Sequence, residues 1–155
     1  MPAIVSIAYS PTHLPAEPHD HYQRVPVTQA DLVVGHGIQG DRKGSSPTRQ
    51  LNIMSAEELA PLAAAGFKLA PGQMGEQIVI SGLDLAALQP GAQFQLGATA
   101  VVEVHDHRSG CERFEHIQGH SPKEAAGRLG VMAKVVIAGP IAVGDPVRLL
   151  TAETA

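Results

Sequence analysis

The chain has 155 residues, of which 44% are hydrophobic and 17% charged, an ordinary composition for one globular domain and not for a disordered chain. Its formal net charge of −4 provides no general basic surface, so we expect no nucleic-acid partner. The N-terminal apolar run is too short for a signal peptide or a membrane span, and the one cysteine cannot form an internal disulfide. We therefore expect a single domain over residues 1–155 in the cytoplasm, with no membrane partner.

Short strands are predicted along most of the chain. β-Branched and alternating apolar residues, interrupted by glycine and proline, are typical of strands joined by turns. The predicted strands cover residues 3–10, 31–35, 49–55, 76–80, 92–97, 99–105, 131–139 and 145–150. Residues 11–26 are rich in proline and histidine without periodicity, and they predict a long surface loop.

Two short helices are predicted between these strands. Residues 55–66 begin with the Ser-x-x-Glu spacing of a capping box, although Pro61 requires that this helix be short or kinked. Residues 121–130 begin with Ser-Pro and again have Glu three positions after Ser. The pattern predicts a mainly β barrel with two or three short α-helices.

A glycine motif follows the second predicted strand. Gly35, Gly37 and Gly40 have the G-x-G-x-x-G spacing of dinucleotide-binding proteins. That function requires a helix directly after the motif, and the following residues "DRKGSSP" do not favour one. We therefore interpret the glycines as tight turns, with Asp41 capping one of them.

The only cysteine, Cys111, lies in the polar segment "HDHRSGCERFEH". Arg108 and Arg113 flank it, and nearby cations stabilise the thiolate that acts as a nucleophile or as a soft-metal ligand. A buried structural cysteine normally lies in an apolar run instead. We therefore interpret Cys111 as a functional thiol.

Two other interpretations stay open. A zinc-stabilised domain would take its ligands from the same region, where His105, His107, Cys111, His116 and His120 follow one another, although their spacing matches no strong zinc motif. A noncatalytic binding module for an anionic small ligand would use a second cationic cluster. That cluster consists of Arg42, Lys43 and Arg49, and it would bind an anion if the fold brought it near Cys111 together with Arg128 or Lys134.

The succession of four segments resembles the MOSC domain family, named for the C-terminal part of molybdenum cofactor sulfurase. The segments are "GIQGDRKGSSPTRQLNIMS", "GEQIVISGLDLAALQPGAQFQLG", "HRSGCERF" and "RLGVMAKVVIAGPIAVGDPVRLL", and the resemblance covers about residues 35–150. It implies a MOSC-type β-barrel with a site built around Cys111. In this family the cysteine carries sulfur as a persulfide or ligates molybdenum.

The resemblance also implies the other site residues. Cys111 takes the sulfur or molybdenum position, and the expected cofactor-binding residues are Gly40, Asp41, Arg42, Arg49, Glu76, Arg108 and Arg113. The chain departs from the family at two positions. Gln77 stands where asparagine is common, and Gly110 stands where proline commonly precedes the cysteine.

The function implied by the resemblance is the handling of the molybdenum cofactor (molybdopterin) or of its sulfur, as a sulfur carrier or as an oxidoreductase component. The sequence contains no desulfurase, iron–sulfur cysteines or flavin motif, so any reaction requires a partner. The expected partner is a cysteine desulfurase-like sulfur donor, which would carry the pyridoxal phosphate, or a reductase that donates electrons.

Overall fold

The computed structural model describes residues 1–15 and 22–151, the last of them by its backbone only. The strands are β1 (Ala3–Tyr9), β2 (Val25–Val27), β3 (Gln29–Val33), β4 (Gly37–Ile38), β5 (Leu51–Ser55), β6 (Ile78–Ser81), β7 (Gln93–Leu96), β8 (Ala100–His107), β9 (Val131–Ile137), β10 (Gly139–Ala142) and β11 (Val147–Thr151). The helices are α1 (Leu59–Ala64) and α2 (Glu112–Gln118), with short 3₁₀ turns at Ala56–Glu58, Leu85–Ala87 and Pro122–Ala125. The expectation of a mainly β chain with two or three short helices is confirmed.

The strands form two sheets. The larger sheet has the order β11-β7-β8-β9-β5-β6-β1-β2, and the smaller one has the order β10-β3-β4. The expected barrel is not confirmed, because the sheets do not close on themselves within the described residues. An isolated bridge, Ala3 to Pro146, and three backbone hydrogen bonds join the start of β1 to the segment before β11, but the two strands form no continuous ladder.

The hydrophobic core has two parts. The main cluster lies on the inner faces of the strands and contains fully buried Ile7, Ile53 and Phe94. A smaller cluster lies beneath α2, where the Phe114 and Phe67 rings have their centroids 5.9 Å apart. This second cluster anchors α2 against the loop that precedes β6, and it thereby positions the residues at the start of the helix.

The predicted helix starts are partly correct. Ser55 makes no capping hydrogen bond, because its hydroxyl donates to the Leu83 carbonyl instead, and a 3₁₀ turn precedes the short α1. At Ser121 the capping box is present, but it begins a single 3₁₀ turn rather than a helix extending to Gly130. Helix α2, which begins directly after Cys111, was not predicted from the sequence.

The long loop predicted over residues 11–26 is only partly described. Residues 16–21 lie outside the described residues, and the end of the loop forms β2, which pairs with β1. The glycine motif lies around β4, in the turns that follow β3. No helix follows Gly40 before the 3₁₀ turn at residue 56, in agreement with the rejection of a dinucleotide-binding motif.

Candidate functional site

Cys111 opens onto a cavity of about 250 Å³, which we call the cationic cavity. Its lining residues come from five separate segments of the chain. They are Tyr22, Arg24, Lys43, Arg49, Asn52, Gly75, Gln77, Arg108, Ser109, Gly110, Cys111 and Arg113. Five of these side chains are cationic, and none of the described residues in the lining is a carboxylate. The fold therefore concentrates positive charge around an exposed thiol.

The position of Cys111 follows from the packing of α2. Cys111 is the residue that precedes this helix, and its carbonyl accepts the Glu115 N–H at 3.0 Å. At the other end, the Gln118 side chain accepts the Lys68 N–H at 2.7 Å and donates to the Gln73 carbonyl at 2.9 Å. With Phe114 buried below, these bonds hold the helix in one orientation and leave the thiol at the cavity.

Gly110 fits the close packing of the segment before the thiol. A Cβ atom at this position would lie 2.6 Å from Pro122 Cβ and 2.9 Å from Phe114 Cδ1, so there is no room for a side chain. Gly110, which stands where proline is common in the family, is thus in tight contact with Pro122. Glycine at this position allows the loop and the 3₁₀ turn to approach each other.

Arg108 forms one wall of the cationic cavity. Its backbone N–H donates to the Gly130 carbonyl at 2.9 Å, and its Nη2 donates to the Met74 carbonyl at 2.5 Å. Its Nη1 is buried and has no hydrogen-bond partner among residues 1–15 and 22–151. Burial lowers the pKa of Arg108, and the nearby Tyr22 and Glu76 act in the opposite direction. A buried donor of this kind is best satisfied by an anion.

Gly75 allows Arg108 and Tyr22 to pack against the same point of the backbone. Its φ angle is +79°, and a Cβ atom would lie 2.9 Å from both Arg108 Nη2 and Tyr22 Cζ. The Gly75 carbonyl also accepts the Asn52 side-chain amide at 3.1 Å. Both the left-handed backbone and the lack of space favour glycine here.

Glu76 and Asp41, two of the expected cofactor-binding residues, do not line the cavity. Glu76 is buried behind it and accepts the backbone N–H groups of Gly72 at 2.9 Å and Met74 at 3.1 Å. Burial raises the pKa of Glu76, while these hydrogen bonds and Arg108 act in the opposite direction. Asp41 is also buried, and it accepts the Lys43 N–H at 3.1 Å. Both carboxyl groups therefore shape the loops that carry lining residues.

Gln77 connects Asp41 to the cavity. Its side-chain amide donates to Asp41 at 3.1 Å, and its carbonyl oxygen accepts the Asn52 N–H at 2.8 Å. Glutamine thus satisfies both of its polar ends at this position, where asparagine is common in the family.

Gly40 lies in a turn with a φ angle of +85°, and the Arg42 guanidinium donates to the Thr12 carbonyl at 3.3 Å and to the Leu14 carbonyl.

The structure thus brings together half of the expected site. Cys111, Arg49, Arg108 and Arg113 line the cationic cavity, whereas Gly40, Asp41, Arg42 and Glu76 lie outside its lining. Of the second cationic cluster, Lys43 and Arg49 line the cavity. Arg128 and Lys134 do not, because Arg128 pairs with Glu58 at 2.8 Å and Lys134 with Glu103 at 3.5 Å.

Tyr22, Arg24 and Asn52 line the cavity but were missed in the sequence. Tyr22 and Arg24 fall in the Pro- and His-rich segment that predicted only a surface loop. The available signal was their spacing of two residues, which places both side chains on one side of an extended chain. The Arg24 guanidinium lies 5.4 Å from the centre of the Tyr22 ring, as this spacing allows.

The zinc interpretation gains no support from the structure. Within residues 1–15 and 22–151, no three His, Cys, Asp or Glu side chains form a group that could hold a metal ion. His120 instead lies against the Phe67 ring, with centroids 5.0 Å apart, and its Nδ1 is 3.4 Å from Glu124.

None of the described helices is long and apolar enough to cross a lipid bilayer.

The fold and the site together define a small, mainly β domain with a single thiol in a cationic cavity. The MOSC domain model matches residues 40–148, which shows that the chain belongs to the MOSC domain family. This family is associated with molybdenum cofactor sulfurase-type proteins. No curated protein is similar enough in sequence to count as a match.

Solved structures share the fold at low sequence identity. The YuaD protein from Bacillus subtilis has a TM-score of 0.78 and 19% identity, over 99% of this chain and 98% of that protein. YiiM from Geobacillus stearothermophilus has a TM-score of 0.72 and 20% identity, over 97% of this chain and 76% of YiiM. YiiM from Escherichia coli has the same TM-score and identity, over 99% of this chain and 72% of YiiM. At this identity the similarity shows the fold alone.

Proposed function

We propose that this protein handles the molybdenum cofactor or its sulfur through Cys111. The observation that carries the proposal is the cationic cavity, in which an exposed thiol is surrounded by five cationic side chains and by no carboxylate of the described lining. A thiol exposed among cationic side chains is the environment in which cysteines act as nucleophiles towards sulfur or as ligands of soft metals. Membership of the MOSC family supports the same chemistry.

The residues present fit the molybdenum cofactor by their chemistry. A thiolate is a soft ligand that molybdenum accepts, and the arginines suit the phosphate of the pterin. Arg108 Nη1, a buried donor that has no acceptor among the described residues, suits the same anionic group. When bound, the cofactor would supply redox chemistry at the metal. In that case Cys111 would hold the cofactor, with Arg49, Arg108 and Arg113 orienting it.

The sulfur-carrier form of the proposal needs only the thiol and a donor. The Cys111 thiolate attacks the outer sulfur of a persulfide on the donor, the donor's S–S bond breaks, and its thiolate leaves. Cys111 then holds the sulfur as a persulfide, and no net oxidant is required. The cavity of about 250 Å³ is smaller than typical small-molecule sites of roughly 300–1,000 Å³, so it suits a reacting group or one end of a larger molecule.

The chain needs a partner for either form. We propose a cysteine desulfurase-like donor that carries pyridoxal phosphate, or a reductase that supplies electrons, both in the cytoplasm.

A second candidate function is a noncatalytic module that binds a small anion. The excess of cations in the cavity favours it, and in that case the thiol would be incidental.

The experiment compares the wild type with Cys111→Ala and Cys111→Ser, all expressed in a host that makes the molybdenum cofactor. Molybdenum, zinc and pterin per chain are measured, together with intact mass for one added sulfur atom. We expect the wild type to contain the cofactor or a persulfide, and both variants to contain neither. Equal cofactor content in all three proteins, or neither cofactor nor persulfide in the wild type, would contradict the proposal and leave the anion-binding module.

A further inference from the structure

Two of the arginines that line the cationic cavity lie over the Tyr22 ring. The Arg113 guanidinium carbon is 4.8 Å from the ring centre, and that of Arg24 is 5.4 Å from it. Both distances are within the range of a cation–π contact. One aromatic ring therefore contacts two cations that come from different segments of the chain, the residue before β2 and helix α2.

The surroundings of Tyr22 fix the ring in this position. The ring packs on Gly75, where even a Cβ atom would lie 2.9 Å from Tyr22 Cζ. The stem of Arg24 packs in the same way on Gly72, where a Cβ atom would lie 2.3 Å from Arg24 Cβ. Burial raises the pKa of Tyr22 despite the neighbouring arginines, so the phenol is neutral at neutral pH. The ring therefore has defined neighbours on several sides.

We propose that Tyr22 is a positioning residue for chemistry at Cys111, because its ring holds Arg24 and Arg113 over the cavity and so makes the thiol selective for anionic reaction partners. The inference rests on the proposed function in taking Cys111 as the reacting group. It adds the residue that arranges the charge around that group. Without the ring, both guanidiniums lose the cation–π contact that orients them over the cavity.

The effect can be measured without any cofactor or partner protein. Methanethiosulfonate reagents convert a thiolate into a mixed disulfide and release a sulfinate, and they exist in anionic sulfonatoethyl, cationic trimethylammonioethyl and neutral methyl forms. The anionic-to-cationic rate ratio at Cys111 reports the charge around the thiol. The rate with the neutral reagent reports its exposure and intrinsic reactivity.

The variants Tyr22→Phe and Tyr22→Leu separate the ring from its hydroxyl. Tyr22→Phe keeps the ring face, so we expect a rate ratio within about twofold of the wild type. Tyr22→Leu removes both cation–π contacts, and we expect the ratio to fall about fivefold to tenfold while the neutral rate changes little. Tyr9→Phe, at the other tyrosine of the chain, is the matched control and should leave the ratio unchanged.

A double variant tests whether Tyr22 acts through Arg113. In an Arg113→Gln background, Tyr22→Leu should lower the ratio less than it does in the wild type, because one of the two contacts is already gone. A merely structural role would give the same loss in both backgrounds. If Tyr22→Leu does not fold, Tyr22→Gln takes its place, since it also lacks the ring and has a polar side chain.

Two results would overturn the inference. One is an anionic-to-cationic rate ratio in folded Tyr22→Leu or Tyr22→Gln that equals the wild-type ratio. The other is a fall of this ratio in Tyr22→Phe that is as large as the fall in Tyr22→Leu. Neither result depends on molybdenum, pterin or persulfide content. Failure of this inference is therefore distinguishable from failure of the proposed function, which those contents test.

Discussion

Two of the cavities that contain charged side chains differ in how those charges are used. The cationic cavity contains Cys111. The other, of about 420 Å³, is lined by Glu57, Glu58, Asp84 and Arg128 among other residues, and we call it the acidic cavity. There each acid has a partner in the chain: Glu58 pairs with Arg128 at 2.8 Å, Glu57 accepts the Gly82 N–H at 3.0 Å, and Asp84 accepts the Ala86 N–H at 3.2 Å.

The comparison shows that the larger of the two cavities is the one whose charges already have partners in the chain. The acidic cavity is larger, but its carboxylates already cap turns or pair with an arginine. The smaller cationic cavity has no described carboxylate in its lining, and it contains a buried Arg108 nitrogen without an acceptor among the described residues. That Arg108 nitrogen is available to an acceptor on a ligand.

The largest effect is expected for Gly75→Ala, which would break the cationic cavity itself. The new Cβ atom would push Arg108 and Tyr22 apart, and alanine would be strained at a φ angle of +79°. We expect the free energy of unfolding to fall by about 2 to 4 kcal/mol, together with loss of the preference of Cys111 for anionic reagents. Urea unfolding and thiol reaction rates measure the two effects.

Gly35→Ala is the matched control for this change. Gly35 also has a φ angle of +79°, but nothing lies within 4 Å of the position of its Cβ atom. The free energy of unfolding of this variant should therefore fall by the backbone strain alone, about 1 to 2 kcal/mol, and the reactivity of Cys111 should not change. Equal losses in the two variants would mean that the contacts of Gly75 with Arg108 and Tyr22 do not shape the cavity.

A smaller effect is expected for Arg49→Ala, which sharpens the comparison by removing one charge from the cationic cavity. Sulfate should stabilise the wild type because it binds the folded state, and the variant should need about tenfold more sulfate for the same rise in Tm. Arg148→Ala is the control, since this exposed arginine of β11 donates to Gln95 and does not line the cationic cavity. A sulfate response that Arg148→Ala lowers as much as Arg49→Ala would indicate nonspecific screening.

The smallest effect is expected in the acidic cavity, from Arg128→Ala. The Arg128–Glu58 pair is partly exposed, with 43% and 33% of the two side chains accessible. Such pairs contribute about 0 to 1 kcal/mol, so urea unfolding should show at most this loss. The sulfate response should not change. A changed sulfate response in this variant would mean that the two cavities do not act separately.

Most of the β-structure could be predicted from the sequence, because it follows from local patterns. The strands around Ile53 and Val102 have the apolar alternation or runs that local chemistry favours, and the structure has them close to the predicted bounds. The strands β2 and β4 were missed, since two or three residues carry too little pattern, and β10 falls largely between two predicted strands. Closure of a barrel depends on the pairing of distant edges, which no local pattern determines.

The candidate site was only partly predictable for a similar reason. Arg108 and Arg113 could be found because they are neighbours of Cys111 in sequence, whereas Tyr22 and Arg24 reach the cavity through the pairing of β2 with β1. Asp41 and Glu76 were expected in the lining because of the family motif. In the structure their carboxylates accept backbone N–H groups of nearby loops instead.

The central claim is that Cys111 acts inside a cationic cavity, and thiol chemistry on the wild type tests it most directly. The anionic-to-cationic methanethiosulfonate rate ratio at Cys111 is measured in the native protein and again in the protein unfolded by urea. We expect the native ratio to be about tenfold higher or more at low ionic strength, and to fall as salt is added. A native ratio equal to or below that of the unfolded chain would contradict the account.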